Sequence, residues 1–256
     1  MITDTHTHLY LKDFEKDIDS VVNRALDLNI NNFFLPAIDS SHTESMVNLK
    51  NAYPDIMHLM AGLHPCSVKN NYLDELKHVE KVTKNHSIVA IGEIGIDLYW
   101  DKSTLNIQKA AFTQQIKLAK RLNLPIVIHC RNAFDEIFEI LEKEKSDKLR
   151  GIFHCFSGTY EHALKAISYN MKLGIGGVVT FKNGKIDKFL DNITIDNLVL
   201  ETDSPYLAPA PFRGKRNESS YITLIVKKLS EIYNLSENKI IETTTLNALD
   251  IFKIRL

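Results

Sequence analysis

His6 and His8 stand two residues apart at the end of the first apolar run of the chain. On extended backbone that spacing turns both imidazoles to one side, so both can reach a single cation. Four more groups able to bind metal close later runs: Glu93 after Ile88-Val89-Ala90-Ile91-Gly92, His129 after Ile126-Val127-Ile128, His154 after Ile152-Phe153, and Asp203 shortly after Leu198-Val199-Leu200. An unpaired carboxylate at Glu93 would be expensive to bury, and a cation removes that cost. If His129 and His154 hold a second ion, Glu93 can bridge the pair, the arrangement that clamps a reacting phosphate. Asp203 can bind one ion and accept the proton of an attacking water. Glu201 shares strand parity with Asp203 and is expected to face inward, either as a partner for a ligating histidine or as half of a buried ion pair. Imidazole and carboxylate ligands serve magnesium, manganese and zinc alike, so two divalent ions are expected without a choice among the three.

Residues so far apart in sequence need a scaffold that gathers them. Short apolar runs recur at 2–5, 32–38, 57–62, 88–94, 126–130, 152–156, 173–179 and 198–201. Segments with helical spacing separate them, such as Ile18, Val21, Val22, Ala25 and Leu28. Eight strand-helix repeats predict a TIM (β/α)8 barrel, with 1–256 as one domain and a last amphipathic pair, 220–233 and 239–252, covering its outside. In such a barrel the carboxyl ends of the strands meet on one face, and all six metal-capable groups fall at those ends. By alternation Cys130 and Cys155 should point away from their histidine neighbours and into packing.

Composition narrows the partners. A hydrophobic share of 44%, 25% charged residues and a net charge of -1 describe a globular chain without the basic face of a histone-like DNA binder. Bound cations and a few local Lys and Arg residues can still supply positive charge to a nucleic-acid site. Three cysteines fit a reducing compartment, the opening residues lack the pattern of a secretory leader, and no apolar stretch approaches membrane-spanning length. The expectation is a cytoplasmic, membrane-free monomer.

Asp4-Thr5-His6-Thr7-His8-Leu9, Gly62-Leu63-His64-Pro65, Gly92-Glu93-Ile94-Gly95-Ile96-Asp97, Ile128-His129-Cys130-Arg131, Phe153-His154-Cys155-Phe156-Ser157-Gly158 and Glu201-Thr202-Asp203-Ser204-Pro205-Tyr206-Leu207 follow one another along nearly the whole chain. In this order they resemble the motifs of TatD-type metal-dependent deoxyribonucleases, a branch of the amidohydrolase superfamily. Pro209-Ala210-Pro211-Phe212-Arg213-Gly214-Lys215-Arg216-Asn217-Glu218 resembles the family's phosphate-side loop, and Thr245-Leu246-Asn247-Ala248 its closing helix. The resemblance implies a 3′ exodeoxyribonuclease that works through a metal-activated water. Single-stranded ends are the expected substrate, because a terminal nucleotide needs no unpairing to enter a concave site, and the choice between DNA and RNA stays open. It implies one ion on His6, His8, Glu93 and Asp203 and another on Glu93, His129 and His154, with His64 catalytic or in contact with phosphate.

Departures from the pattern are few: Ser204 replaces a small apolar residue, Ser219 a proline and Asn132 an acidic residue. Arg131, Arg213, Lys215 and Arg216 are the candidates for phosphate, against the alternative of a solvated loop. Tyr99, Trp100 and Phe212 either stack a base or pack internally. Gly174-Ile175-Gly176-Gly177 lacks the spacing of a nucleotide loop. The competing readings are another metal hydrolase of the superfamily, acting on an amide, lactone or phosphotriester, and a non-catalytic metal or nucleic-acid binding protein.

Overall fold

A computed structural model describes residues 1–254. The apolar runs become eight parallel strands: β1 (Ile2–Asp4), β2 (Ile30–Leu35), β3 (Met57–Ala61), β4 (Ile88–Asp97), β5 (Ile126–Arg131), β6 (Gly151–Phe153), β7 (Met171–Ile175) and β8 (Leu198–Leu200). They pair in chain order. The seam between β8 and β1 closes through backbone bonds: Thr5 N–H to Leu200 O at 3.0 Å, Asp203 N–H to His6 O at 2.9 Å, and His8 N–H to Ser204 O at 2.7 Å. The fold is a (β/α)8 barrel, and the seam lies where three of the metal-capable residues stand.

Six helices pack outside the strands: α1 (Ile18–Leu26), α2 (Thr43–Ala52), α3 (Tyr72–Asn85), α4 (Leu105–Leu122), α5 (Phe134–Lys143) and α6 (Tyr160–Ser168). Each buries one stripe, as α1 does with Val21, Val22 and Ala25. Then come α7 (Ile222–Tyr233) and α8 (Glu237–Phe252). α8 departs from the expected outside position. Its Ala248, Ile251 and Phe252 join Phe34, Met60, Ala90, Val127, Ile152 and Val199, the inward-facing residues of six strands, in a single buried cluster. The Phe252 ring stacks on Phe34 at 4.0 Å. α8 therefore plugs the amino-terminal end of the barrel and leaves the opposite end open.

The alternation also fails once. Between β7 and β8 the described chain forms only short 3₁₀ turns, although Ile186, Leu190 and Ile193 are buried as a helix stripe would be. Gly184 and the cluster of Asp187, Asp191, Asn192, Asp196 and Asn197 favour turns over continued helix. β6 ends at Phe153 and β7 at Ile175, short of the predicted 156 and 179. Cys155 adopts a left-handed conformation (φ 44°), so strand alternation does not govern it.

Candidate active site

At the open end of the barrel the expected groups converge. Glu93, on β4 and 2% exposed, has both carboxylate oxygens turned to imidazoles. Oε2 lies 3.1 Å from His6 Nε2, while Oε1 lies 2.8 Å from His129 Nδ1 and 3.3 Å from both His64 Nε2 and His154 Nε2. Asp203 Oδ1 stands 3.5 Å from His8 Nε2 and 3.7 Å from His6 Nε2. The rings of His6 and His154 stack at 3.6 Å. Around them opens a cavity of about 600 Å³ whose walls include His8, His64, Glu93, His129, His154 and Asp203.

Backbone choices make this convergence possible. Gly95, at φ 143°, passes so close to β5 that a Cβ there would lie 2.0 Å from the His129 carbonyl oxygen. The Glu93 strand and the His129 strand can approach only with glycine in that place. A Cβ on Gly174 would meet Glu201 Oε2 at 2.1 Å, so this glycine clears room for a buried carboxylate. Asp203 has φ 57° and Asn132 φ 55°, left-handed turns that Asp and Asn tolerate better than most residues and that end their strands.

Second partners hold the ligands in place. His129 Nε2 lies 2.9 Å from Asp97 Oδ2. His8 Nδ1 lies 2.8 Å from the Tyr10 hydroxyl, which itself donates to Pro36 O at 2.6 Å. His154 Nδ1 lies 3.2 Å from Glu201 Oε1, off the line of a full hydrogen bond, and that oxygen accepts the Cys155 N–H at 2.5 Å. Among the described residues Glu201 thus faces a histidine and no Lys or Arg. Beneath the site buried Asp4 accepts from Thr202 N–H (2.9 Å), Thr202 Oγ1 (2.6 Å) and Ser219 Oγ (2.6 Å), tying β1 to the segment that carries Asp203. Ser204 Oγ donates to Thr202 Oγ1 at 2.8 Å, so both serine departures from the family pattern feed this network.

Electrostatics match the geometry. Burial alone would raise Glu93, but His154, His64 and His6 around it hold its carboxyl well below the usual carboxylate range. Burial would pull His154 down, yet the Glu93 and Glu201 carboxylates push it up to about 10. His6 is lowered by burial and by the neighbouring His154. Among the described residues no Lys or Arg comes within 4.0 Å of Glu93 or Asp203, and His6 Nδ1 is buried with no partner. A buried carboxylate ringed by four imidazoles is a donor set for divalent cations. Three groups have ligand atoms within 4.8 Å of one another: His6, His8 and Asp203; His6, Glu93 and His154; His64, Glu93 and His129. His64 therefore stands among the metal-capable donors as well as on the cavity wall.

The predicted substrate contacts divide. Arg131, closing β5, lines the cavity with its guanidinium 3.8 Å from the Tyr99 ring centre. Arg216 does not reach the cavity: it forms two 2.7 Å hydrogen bonds to Asp17 and covers Phe14, fastening the loop to α1. Arg213 lies over Phe181 at 4.0 Å, off the cavity wall, and Lys215 is exposed beside Phe212. Phe212 itself stacks on Tyr221 at 4.4 Å and is a packing residue. Cys130 and Cys155 are half-buried and edge the cavity, outside the three donor groups. Burial pushes the Cys130 thiol up to about 12 and the Cys155 thiol well above its ordinary value, so both remain protonated. Asp97 and Tyr10 were missed as partners of the site. An acid closing the same strand as Glu93 was a readable signal for Asp97, whereas nothing in the sequence marks Tyr10.

Residues 3–253 match the model of the TatD related DNase family. The chain belongs to that family. It is 37% identical over 255 residues to the uncharacterized metal-dependent hydrolase YabD of Bacillus subtilis, covering 99% of this chain and all of the relative. A second TatD relative, the 3′-5′ ssDNA/RNA exonuclease TatD of Pectobacterium parmentieri, is 28% identical over 257 residues, covering 98% of this chain and 99% of its own. The crystal structure of the TatD homologue YjjV from Escherichia coli superposes with a TM-score of 0.93 at 25% identity, covering 99% of this chain and 98% of that one. Like its family, the chain is a metal-dependent hydrolase. No helix among the described residues is long and apolar enough to cross a membrane.

Proposed function

We propose that this chain hydrolyses phosphodiester bonds of nucleic acid, removing nucleotides from the 3′ end of single-stranded DNA, with RNA as a further substrate. The observation that carries the reading is Glu93: a buried carboxylate shared by four imidazoles and, among the described residues, by no Lys or Arg, which in this reading would serve two cations. The name of the Pectobacterium relative supports the substrate class.

In this reading His6, His8, Glu93 and Asp203 would hold one ion, and Glu93, His129 and His154 the other. When bound, the ions would supply Lewis-acid polarisation of the phosphoryl oxygens and acidify a water. The chain's own side chains do the rest. Asp203, with burial raising its pKa but His8, His154 and His6 together holding it low, is ionised and can take the proton of an attacking water. His64, on the cavity wall 3.3 Å from Glu93, would hydrogen-bond a phosphoryl oxygen. Arg131 adds a guanidinium at the mouth for the following phosphate.

An oligodeoxynucleotide labelled at its 5′ end, incubated with the protein and magnesium or manganese, should shorten stepwise. Chelator should stop the reaction, and Glu93→Gln should slow it by about 10²-fold or more. Intact strands after long incubation with folded, metal-loaded protein would refute the reading.

A further inference from the structure

We infer that Trp100, with Tyr99 and Arg131, forms a stacking subsite for an unpaired nucleobase at the mouth of the metal-centre cavity. The inference rests on the phosphodiesterase reading above and gives that site its preference among strands. Trp100 is 70% exposed and Tyr99 55% exposed, an unusual outlay of aromatic surface beside a cavity. Trp100 belongs to the cavity wall with His129, Arg131 and Asp97, beside the space where a strand would enter.

The platform is built rigidly. Asp97 Oδ1 accepts the backbone N–H of Tyr99 at 2.9 Å and of Trp100 at 3.1 Å. Buried Gln108 accepts the Asp97 N–H at 2.8 Å and donates from Nε2 to Asp97 O at 3.1 Å and Thr104 Oγ1 at 2.9 Å. The same Asp97 side chain touches His129 through its other oxygen, so the aromatic turn and the metal ligand share one anchor. A surface held this firmly loses little entropy when a flat partner settles on it.

Charge identifies the occupant. Arg131 lies 3.8 Å from the Tyr99 ring centre and 5.5 Å from that of Trp100. Among the described residues it pairs with no carboxylate, whereas Arg24 and Arg216 each do. Tyr99 occupies one face of the guanidinium and leaves its N–H edge for an anion. An open indole face next to an uncommitted guanidinium complements a planar base joined to a phosphate. Bases inside a duplex are already stacked on both faces, so only an unpaired one can take this place.

Trp100 is the only tryptophan of the chain, which makes the subsite its own reporter. Stopped-flow mixing of the manganese-loaded protein with a single-stranded oligothymidylate reads binding before turnover. Tryptophan emission should fall on mixing. A strand of equal length carrying abasic sites, with identical phosphates, should bind about 5- to 150-fold more weakly. By anisotropy of a labelled strand, Trp100→Ala should lose the distinction between the two strands, and Trp100→Phe should keep most of it. Because the indole is exposed, both variants should retain the parent's thermal midpoint. Should the base-bearing strand bind and be cut while emission stays constant and the abasic strand binds equally well, the subsite is overturned and the phosphodiesterase reading stands. If neither strand binds or is cut, both fall together.

Discussion

Asp97 Oδ2 sits 2.9 Å from His129 Nε2, on the side of the ring away from Glu93, whose Oε1 lies 2.8 Å from Nδ1. With Nε2–H donating to Asp97, the Nδ1 lone pair is left for a cation, and the ring cannot swing. Asp97→Asn keeps an oxygen for the Tyr99 and Trp100 amides but sets an NH₂ against Nε2, which favours the wrong tautomer. Metal affinity should drop about 10- to 100-fold while the fold is kept. Titration against a chromophoric chelator checks this, and unchanged affinity would refute the positioning role.

Tyr10 does for His8 what Asp97 does for His129, with a neutral group. Its hydroxyl hydrogen is committed to Pro36 O, so the oxygen accepts from His8 Nδ1–H and leaves Nε2 facing Asp203. Tyr10→Phe strands two buried polar groups and should cost about 1–3 kcal/mol in denaturant unfolding of the metal-free protein. It should also weaken metal binding about 10-fold. A variant as stable and as metal-avid as the parent would remove Tyr10 from the site.

The metal-capable residues were legible because each lies in the carboxyl-terminal half of a strand or within four residues of its end, and a barrel brings those ends together whatever their separation in sequence. Glu201 faces inward as expected, packed against Gly174 and His154, although β8 ends at Leu200 and the left-handed Asp203 lies outside its alternation. Parity failed at Cys155, where β6 had already ended and a left-handed residue turned the chain. It also could not place α8, because an amphipathic stripe fits an outer wall or a barrel end equally well, and only Phe34 and its neighbours decide. Arg216 was misread because a basic loop residue looks the same in sequence whether it faces a phosphate or Asp17, some two hundred residues away. Tyr10 left no trace because a tyrosine after His-x-His reads as ordinary core.

At the sealed end of the barrel His58 lies against Phe34 at 4.7 Å, with Nε2 3.0 Å from Asn32 Oδ1. Burial, helped by Lys50, lowers it from 6.5 to about 4. Below 6.5 the unfolded chain therefore binds a proton that the folded chain refuses. The stability His58 contributes is whole above that value and is lost as pH falls toward about 4. Compared with His58→Gln, the parent should lose on the order of 2 kcal/mol more across this window, allowing for the part of the ring that water reaches. Urea unfolding of both proteins at a series of pH values measures it, and parallel curves would contradict it.

Arg131 and Arg216 should part company in a salt titration. Arg131 has no acidic partner among the described residues and faces the cavity, so in the phosphodiesterase reading it neutralises a phosphate and releases a counterion. Arg131→Ala should weaken binding of a single-stranded oligonucleotide and reduce the slope of log affinity against log salt by about 0.7 to 1. Arg216 spends its guanidinium on Asp17, and Arg216→Ala should cost about 1 kcal/mol of stability and leave that slope unaltered. Fluorescence anisotropy across a range of salt concentrations, beside denaturant curves, separates the two roles. A flatter slope for Arg216→Ala, or an unchanged one for Arg131→Ala, would reverse the assignment of these two side chains.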